Sequence, residues 1–122
     1  HVVQVGRRGD SLALRFTPED TTADVGDMVQ FQFYPLNHSV AEATFDKPCV
    51  PATDDTSALG NAFWSGFHPL PTDTEILDTF TVNITSIAPI FYYCSQGRHC
   101  MQGFVGTINA GPDQLAAFKA AA

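Results

Sequence analysis

An all-β fold is predicted for this chain by three features of its sequence. Phe, Val and Thr are plentiful, and eight prolines and nine glycines are spread along the 122 residues, as many short strands joined by turns require. Residues 28–34 alternate, with Val29, Phe31 and Phe33 apolar and Gln30, Gln32 and Tyr34 between them, which is the period of a strand with one face buried. Shorter apolar runs recur between Gly, Pro, Asn and Asp punctuation. A length of 122 residues, 44% of them hydrophobic and 16% charged, suits one domain with a real core and leaves no room for a second.

Each element follows in turn. Val2–Val5, with Gln4 among valines, predicts a first strand, and Gly6 to Asp10 a turn. Leu12, Leu14 and Phe16 alternate with Ala13 and Arg15 and predict a strand buried on one face, ended by Thr17-Pro18-Glu19-Asp20. Gly26-Asp27 is a turn pair before the 28–34 strand, which Pro35 closes, placing His38 at its rim. Residues 40–45 read as strand or extended chain up to Pro48-Cys49.

From about residue 50 to 72 the sequence is irregular, with Pro51, a Thr-Asp-Asp-Thr-Ser run, Gly60-Asn61, Trp64-Ser65-Gly66, Pro69 and Pro71. A connection this long in a small domain is functional or is an excursion with its own short helix, and is expected to cover one side of the fold. Ile76, Phe80, Val82 and Ile84 mark a later strand, and residues 89–93 and 104–109 a final hairpin-like pair. Gly111-Pro112 breaks the pattern, and the Ala-rich residues 113–122, with Leu115 and Phe118 three apart, predict a short C-terminal helix. The division expected is a domain over 1–110 and a helical tail over 111–122, packed on the domain or trailing it.

A formal charge of −7, with only six Lys and Arg residues, argues against nucleic acid, because phosphate binding needs clustered cations. A partner steered by charge should be basic. No apolar run approaches the roughly 20 residues needed to span a bilayer. The chain begins with His1 and carries no signal peptide, so a first segment is expected to have been removed by processing or by design of the expressed fragment. Asn83-Ile84-Thr85 is a glycosylation sequon, consistent with secretion if the asparagine faces solvent. Three cysteines leave one odd thiol if two pair.

The chemistry concentrates in Cys94-Ser-Gln-Gly-Arg-His99-Cys100-Met-Gln-Gly-Phe104, between the last two strands. A Cys and a His four intervening residues apart can turn a thiolate and an imidazole to one point if the loop is tight, and Gly97 supplies the backbone freedom. Asn37-His38-Ser39 offers a second imidazole at the end of its own strand. Two imidazoles and one thiolate in a trigonal array suit copper held for electron transfer. Asn37-His38-Ser39 also matches the glycosylation sequon, but a glycan there would sit against the metal, so it is expected unmodified.

Asn37-His38-Ser39-Val40, Pro48-Cys49-Val50-Pro51, Phe91-Tyr-Tyr-Cys94-Ser-Gln and His99-Cys100-Met-Gln-Gly-Phe104-Val-Gly-Thr-Ile-Asn109 resemble the cupredoxins, specifically fungal extracellular ones related to plant phytocyanins. The resemblance runs from about Val2 to Asn109 and agrees in spacing, residue type and order at separated places. It implies a Greek-key β-sandwich, one type 1 copper, and His38, Cys94 and His99 as ligands, with His99 as the electron port. It also implies a disulfide between Cys49 and Cys100, hence an oxidising compartment. Asn37 resembles the asparagine that ties the ligand loops together and hydrogen-bonds near the sulfur.

At the axial position the sequence departs from the family. Relatives carry Met or Gln five residues after the loop histidine, where this chain has Phe104. Phe has no lone pair, so a three-coordinate site is expected, and a high reduction potential with it. Met101 as a substitute thioether would need an altered loop.

The function expected is a secreted, monomeric carrier of single electrons, and not an enzyme, with an unidentified redox partner and, by resemblance, a lipid anchor in the full-length protein. Two other classes stay open. One is an oxidative copper enzyme using His1 through its amine and ring. The other is a copper-scavenging or cell-wall interaction protein. Cys94 with Cys100 as a small-loop disulfide, Asn37 as a turn residue and Phe104 as plain core packing are the corresponding structural readings. His68 is expected at the surface, and Phe63, Trp64 and Phe67 form either a docking patch or part of the core.

Overall fold

A computed structural model describes residues 1–7, 9 and 13–122. Two four-stranded sheets face each other. The first contains β1 (Val2–Val5), β2 (Phe16–Thr17), β4 (Met28–Phe33) and β8 (Asp78–Asn83), in the order β2-β1-β4-β8. The second contains β3 (Asp20–Thr21), β6 (Ala41–Ala43), β9 (Ile90–Tyr93) and β10 (Val105–Ile108), in the order β3-β10-β9-β6. A two-stranded ribbon, β5 (Asn37–His38) with β7 (His68–Pro69), closes one end, and α1 (Pro112–Ala121) completes the fold. The pairs β1–β4 and β3–β10 are parallel and the others antiparallel.

The alternation over residues 28–34 does what it predicts: Val29, Phe31 and Phe33 are buried while Met28 is exposed. They meet Val3, Val5 and Val82 of the same sheet and Ile90, Tyr92 and Ile108 of the facing one, which makes the gap between the sheets the main core. Phe16, Phe31 and Tyr92 pack edge to face there, with ring centroids 4.8–6.2 Å apart.

The second sheet is buried on both faces, and for this reason β9 and β10 carry no polar alternation. Ile90 and Tyr92 point into the main core, whereas Phe91 and Tyr93 join Ala41, Ala43, Val105 and Phe118 in a second cluster on the outer face. Helix α1 covers that face: Phe118 is fully buried against Phe91 at 5.0 Å, and Lys119 pairs with Glu19 at 2.7 Å. Gly106 is required where β10 passes Tyr92, since a Cβ there would lie 2.5 Å from the ring.

Three expectations need correction. The strand predicted from Leu12 is only two residues long, at Phe16–Thr17; Leu12 and part of the Gly6 to Asp10 turn lie outside the described residues. Ile76 is 86% exposed and precedes β8, so the apolar period starts later than its spacing suggested. The connection over 50–72 forms no helix; it is a series of turns pinned to the sandwich at discrete points.

The pins are specific. The backbone of Glu42 in β6 accepts from Ala52 and donates to the Phe63 carbonyl, and Trp64 makes a bridge to Ala41. The buried Glu42 carboxylate accepts from the Ser57 hydroxyl at 2.7 Å and the Ala58 N–H at 2.9 Å. Ala58, Leu59, Phe63 and Leu70 then pack against the main core, so the excursion covers one side of the sandwich as its length suggested.

Candidate metal centre

The chain folds so that three loops converge at one end of the sandwich. After β4, residues 34–36 lead into β5, and the pairing of His38 opposite His68 fixes the first imidazole. Cys94 directly follows β9, where its N–H donates to the Phe104 carbonyl. The loop from Cys94 back to β10 closes on itself: His99 donates to Gln96, Gln102 and Phe104 donate to the His99 carbonyl, and Gly103 donates to Cys100. Gly97 and Gly103 take positive φ in this loop, 50° and 95°, the backbone shape that glycine adopts without strain.

This folding brings His38, Cys94 and His99 together, each offering one ligand atom, all within 4.8 Å of one another. Cys94 Sγ lies 3.4 Å from His99 Nδ1. His38 is buried and neither of its ring nitrogens has a partner among the described residues. A buried imidazole with both nitrogens unpaired is costly, and a metal on one of them would remove part of that cost. The donor set of two imidazoles and a thiol therefore fits a copper ion. Nε2 of His38 faces Gly6, where a Cβ would come within 2.8 Å of it.

Burial sets the protonation states. Desolvation first, and the neighbouring His99 second, push the His38 pKa down from 6.5 to about 4, against a weak upward pull of the Pro35 backbone that does not reach hydrogen-bond geometry. Burial lowers His99 as well. The Cys94 thiol is pushed up by burial, opposed by the backbone of Gln96 and by the backbone and hydroxyl of Ser39. Without metal, both imidazoles are neutral near pH 7 and the proton to be displaced sits on the sulfur.

Phe104 is fully buried between the imidazoles of His38 and His99 and the core. Its ring stacks on His99 at 5.6 Å, lies 5.1 Å from His38, and meets Phe16 at 4.7 Å. Met101, by contrast, is 61% exposed. Cys49 and Cys100 are joined by a disulfide, which leaves Cys94 as the free cysteine and removes a Cys94–Cys100 bridge from consideration.

Asn37 ties the loops, its Nδ2 donating to Gln96 Oε1 at 3.2 Å, but it does not hold the sulfur. That contact belongs to Ser39, whose N–H donates to Cys94 Sγ at 3.4 Å and whose hydroxyl lies 2.6 Å from Ser95 Oγ. Ser39, Ser95 and Gly6 carry no pattern that would single them out in the sequence; position next to a candidate ligand is the available signal for the two serines.

The other histidines lie elsewhere. His1 donates its amine to the Met28 carbonyl and sets its ring on Asp27 at 2.9 Å, and it belongs to no cluster of three or more His, Cys, Asp or Glu ligand atoms among the described residues. His68 is half-buried, stacked on Phe33 at 4.2 Å, with its ring nitrogens on Asp78 and the Ser65 carbonyl. The aromatic trio divides: Phe63 packs on the core, whereas Trp64 and Phe67 are exposed and touch edge to face at 5.5 Å.

This sandwich is the cupredoxin fold. It superposes with a TM-score of 0.57 on an oxidised plastocyanin from Dryopteris crassirhizoma, at 18% identity over 88% of this chain and 97% of that one. For a reduced auracyanin from Roseiflexus castenholzii the TM-score is 0.58, at 14% identity over 91% and 95%. A purple cupredoxin from Nitrosopumilus maritimus gives 0.56, at 14% identity over 88% and 95%.

The chain belongs to the cupredoxins, and its curated relatives are fungal. It is 36% identical over 111 residues to a probable GPI-anchored cupredoxin-1 of Arthroderma benhamiae, covering 89% of this chain and 53% of that protein. It is 34% identical over 107 residues to an extracellular serine-rich protein of the same organism, covering 88% and 38%. The chain thus spans about half the length, or less, of these relatives. No family model matches it.

Proposed function

We propose that this chain is a type 1 copper protein that carries single electrons outside the cell or at its surface, with His38, Cys94 and His99 as ligands. The observation that carries this is the buried His38 with two unpaired nitrogens, set within 4.8 Å of the Cys94 and His99 ligand atoms. Copper, when bound, supplies a one-electron couple. The residues supply the rest.

Gly6 against Nε2 of His38 leaves Nδ1 as its ligand atom. The Ser39 N–H holds the thiolate sulfur in place. Phe104, fully buried against both imidazoles, would offer a bound copper no lone pair, which would favour the reduced metal and a high potential. His99, half-buried where the other two ligands are buried, is the edge through which electrons leave.

The burial of His38 and Cys94 and the apolar Phe104 beside them favour a carrier over an oxidative enzyme. The ring of His1 is engaged with Asp27 and does not favour a second copper there. The disulfide, the exposed Asn83 and the two relatives' names support an extracellular setting, with Asn83 glycosylated and a lipid anchor elsewhere in the protein from which the chain comes. A net charge of −7 favours a basic redox partner. Titration of the metal-free protein with Cu(II), followed by visible absorption and electron paramagnetic resonance, tests the site. An intense blue charge-transfer band with narrow hyperfine splitting, lost in Cys94→Ala, is expected; a weakly coloured signal that survives Cys94→Ala refutes it.

A further inference from the structure

A chain of hydrogen bonds runs from the surface to the sulfur. Trp64 is 56% exposed, and its Nε1–H donates to Ser95 Oγ at 3.3 Å. Ser95 Oγ lies 2.6 Å from Ser39 Oγ, and the Ser95 N–H donates to Ser39 Oγ at 2.9 Å. Ser39 Oγ in turn lies 4.0 Å from Cys94 Sγ. Trp64 is held in register by its bridge to Ala41 and by the reciprocal bonds between Val40 and Ser65, so the indole is a fixed donor.

We infer that Trp64 is a positioning residue for the thiolate, acting through the two serines to orient the Ser39 hydroxyl towards Cys94 Sγ. The inference rests on the ligand set proposed above. A hydroxyl has one proton and two lone pairs. The indole N–H occupies one lone pair of Ser95, which makes that hydroxyl the better donor to Ser39. Ser39 then accepts from both the N–H and the O–H of Ser95, and its own proton is left for the sulfur. In the reversed arrangement the Ser39 proton is spent on Ser95, and the Ser95 proton loses its partner in the chain. At 4.0 Å the Ser39 hydroxyl acts on sulfur as an oriented dipole, adding to the Ser39 N–H at 3.4 Å.

The groove beside Trp64, about 390 Å³ and lined by Pro51, Phe63, Tyr93 and Ser95 among others, leaves the ring accessible. A surface side chain would in this way set a property of a buried ligand, without touching the metal.

The test compares copper-loaded wild type, Trp64→Phe, Ser39→Ala and the double variant by absorption and potentiometry. Trp64→Phe keeps an aromatic ring and removes the N–H. It is expected to lower the reduction potential and move the thiolate charge-transfer band to lower energy, because a less polarised sulfur stabilises the oxidised metal. The double variant is expected to match Ser39→Ala alone, the non-additivity of residues acting in series. Ser95→Ala, at a half-buried position, replaces Ser39→Ala in the same cycle should the latter not fold. A Trp64→Phe protein with the wild-type potential and band, or a double variant in which the two shifts simply add, overturns the inference. A wild type with no thiolate band overturns the ligand set, and the role of Trp64 with it.

Discussion

Acidification of the metal-free protein should expose the cost of burying His38. Its pKa is held at about 4 in the folded chain against 6.5 when exposed. Between those values the unfolded chain takes up a proton that the folded one does not, so stability is lost as pH falls from 6.5 towards 4 and is unaffected by this group above that window. Going from about pH 7.5 to about pH 4.5, the linkage relation gives a loss of about 2.5 kcal/mol from His38 alone. Burial lowers His99 too, which adds in the same direction. The assay is urea unfolding of metal-free wild type and His38→Gln at both pH values, the variant serving to subtract the common titration of the thirteen Asp and Glu residues. Wild type should lose about 2.5 kcal/mol more than His38→Gln. Equal losses in the two proteins would refute the claim that His38 is buried neutral with nothing to hold a charge.

Other perturbations follow from the same contacts. Phe104→Met puts a smaller, flexible side chain at a fully buried position, costs about 1–3 kcal/mol, and places a thioether beside the proposed ligands, so the potential of the copper-loaded protein should fall in direct voltammetry. Gly6→Ala combines a φ of +80° with a Cβ 2.8 Å from His38 Nε2. It should cost about 1–3 kcal/mol in denaturant midpoint and broaden the copper signal as the imidazole is displaced. The double substitution Cys49→Ser/Cys100→Ser opens a loop spanning a sequence separation of 51 and should lower stability by about 4 kcal/mol in reversible unfolding. Glu42→Ala strands the Ser57 hydroxyl and the Ala58 N–H; a loss of about 2–3 kcal/mol is expected, with faster amide exchange across residues 52–63.

The sequence displays those parts of the molecule that are governed by short-range repetition. Residues 28–34 alternate because one face of β4 meets the core, and residues 89–93 run continuously apolar because α1 covers the outer face of β9. The proposed ligands are legible because few residue types bind copper and their spacing around a tight loop is restrictive. What escaped are features that depend on distant partners. Ile76 fits the spacing of a strand but lies where no facing surface receives it. The 50–72 region is ordered by the side chain and backbone of Glu42, a residue that carries no periodic signal. Ser39 holds the sulfur through its backbone N–H, a role any non-proline residue could fill, so its identity could not announce it.

The pairing of Cys49 with Cys100 bears on how the third thiol is kept free. An unfolded chain presents three equivalent thiols to an oxidant, and two of the three possible pairings consume the one proposed for metal. Folding separates them, because Cys94 becomes fully buried while Cys49 and Cys100 are brought side by side. In the folded chain Cys94 is enclosed on every side while the other two sulfurs are already joined, so the fold itself shields the thiol of the proposed site from exchange with the pair. Since His99 is the residue before Cys100, the same crosslink anchors the loop that carries this proposed ligand.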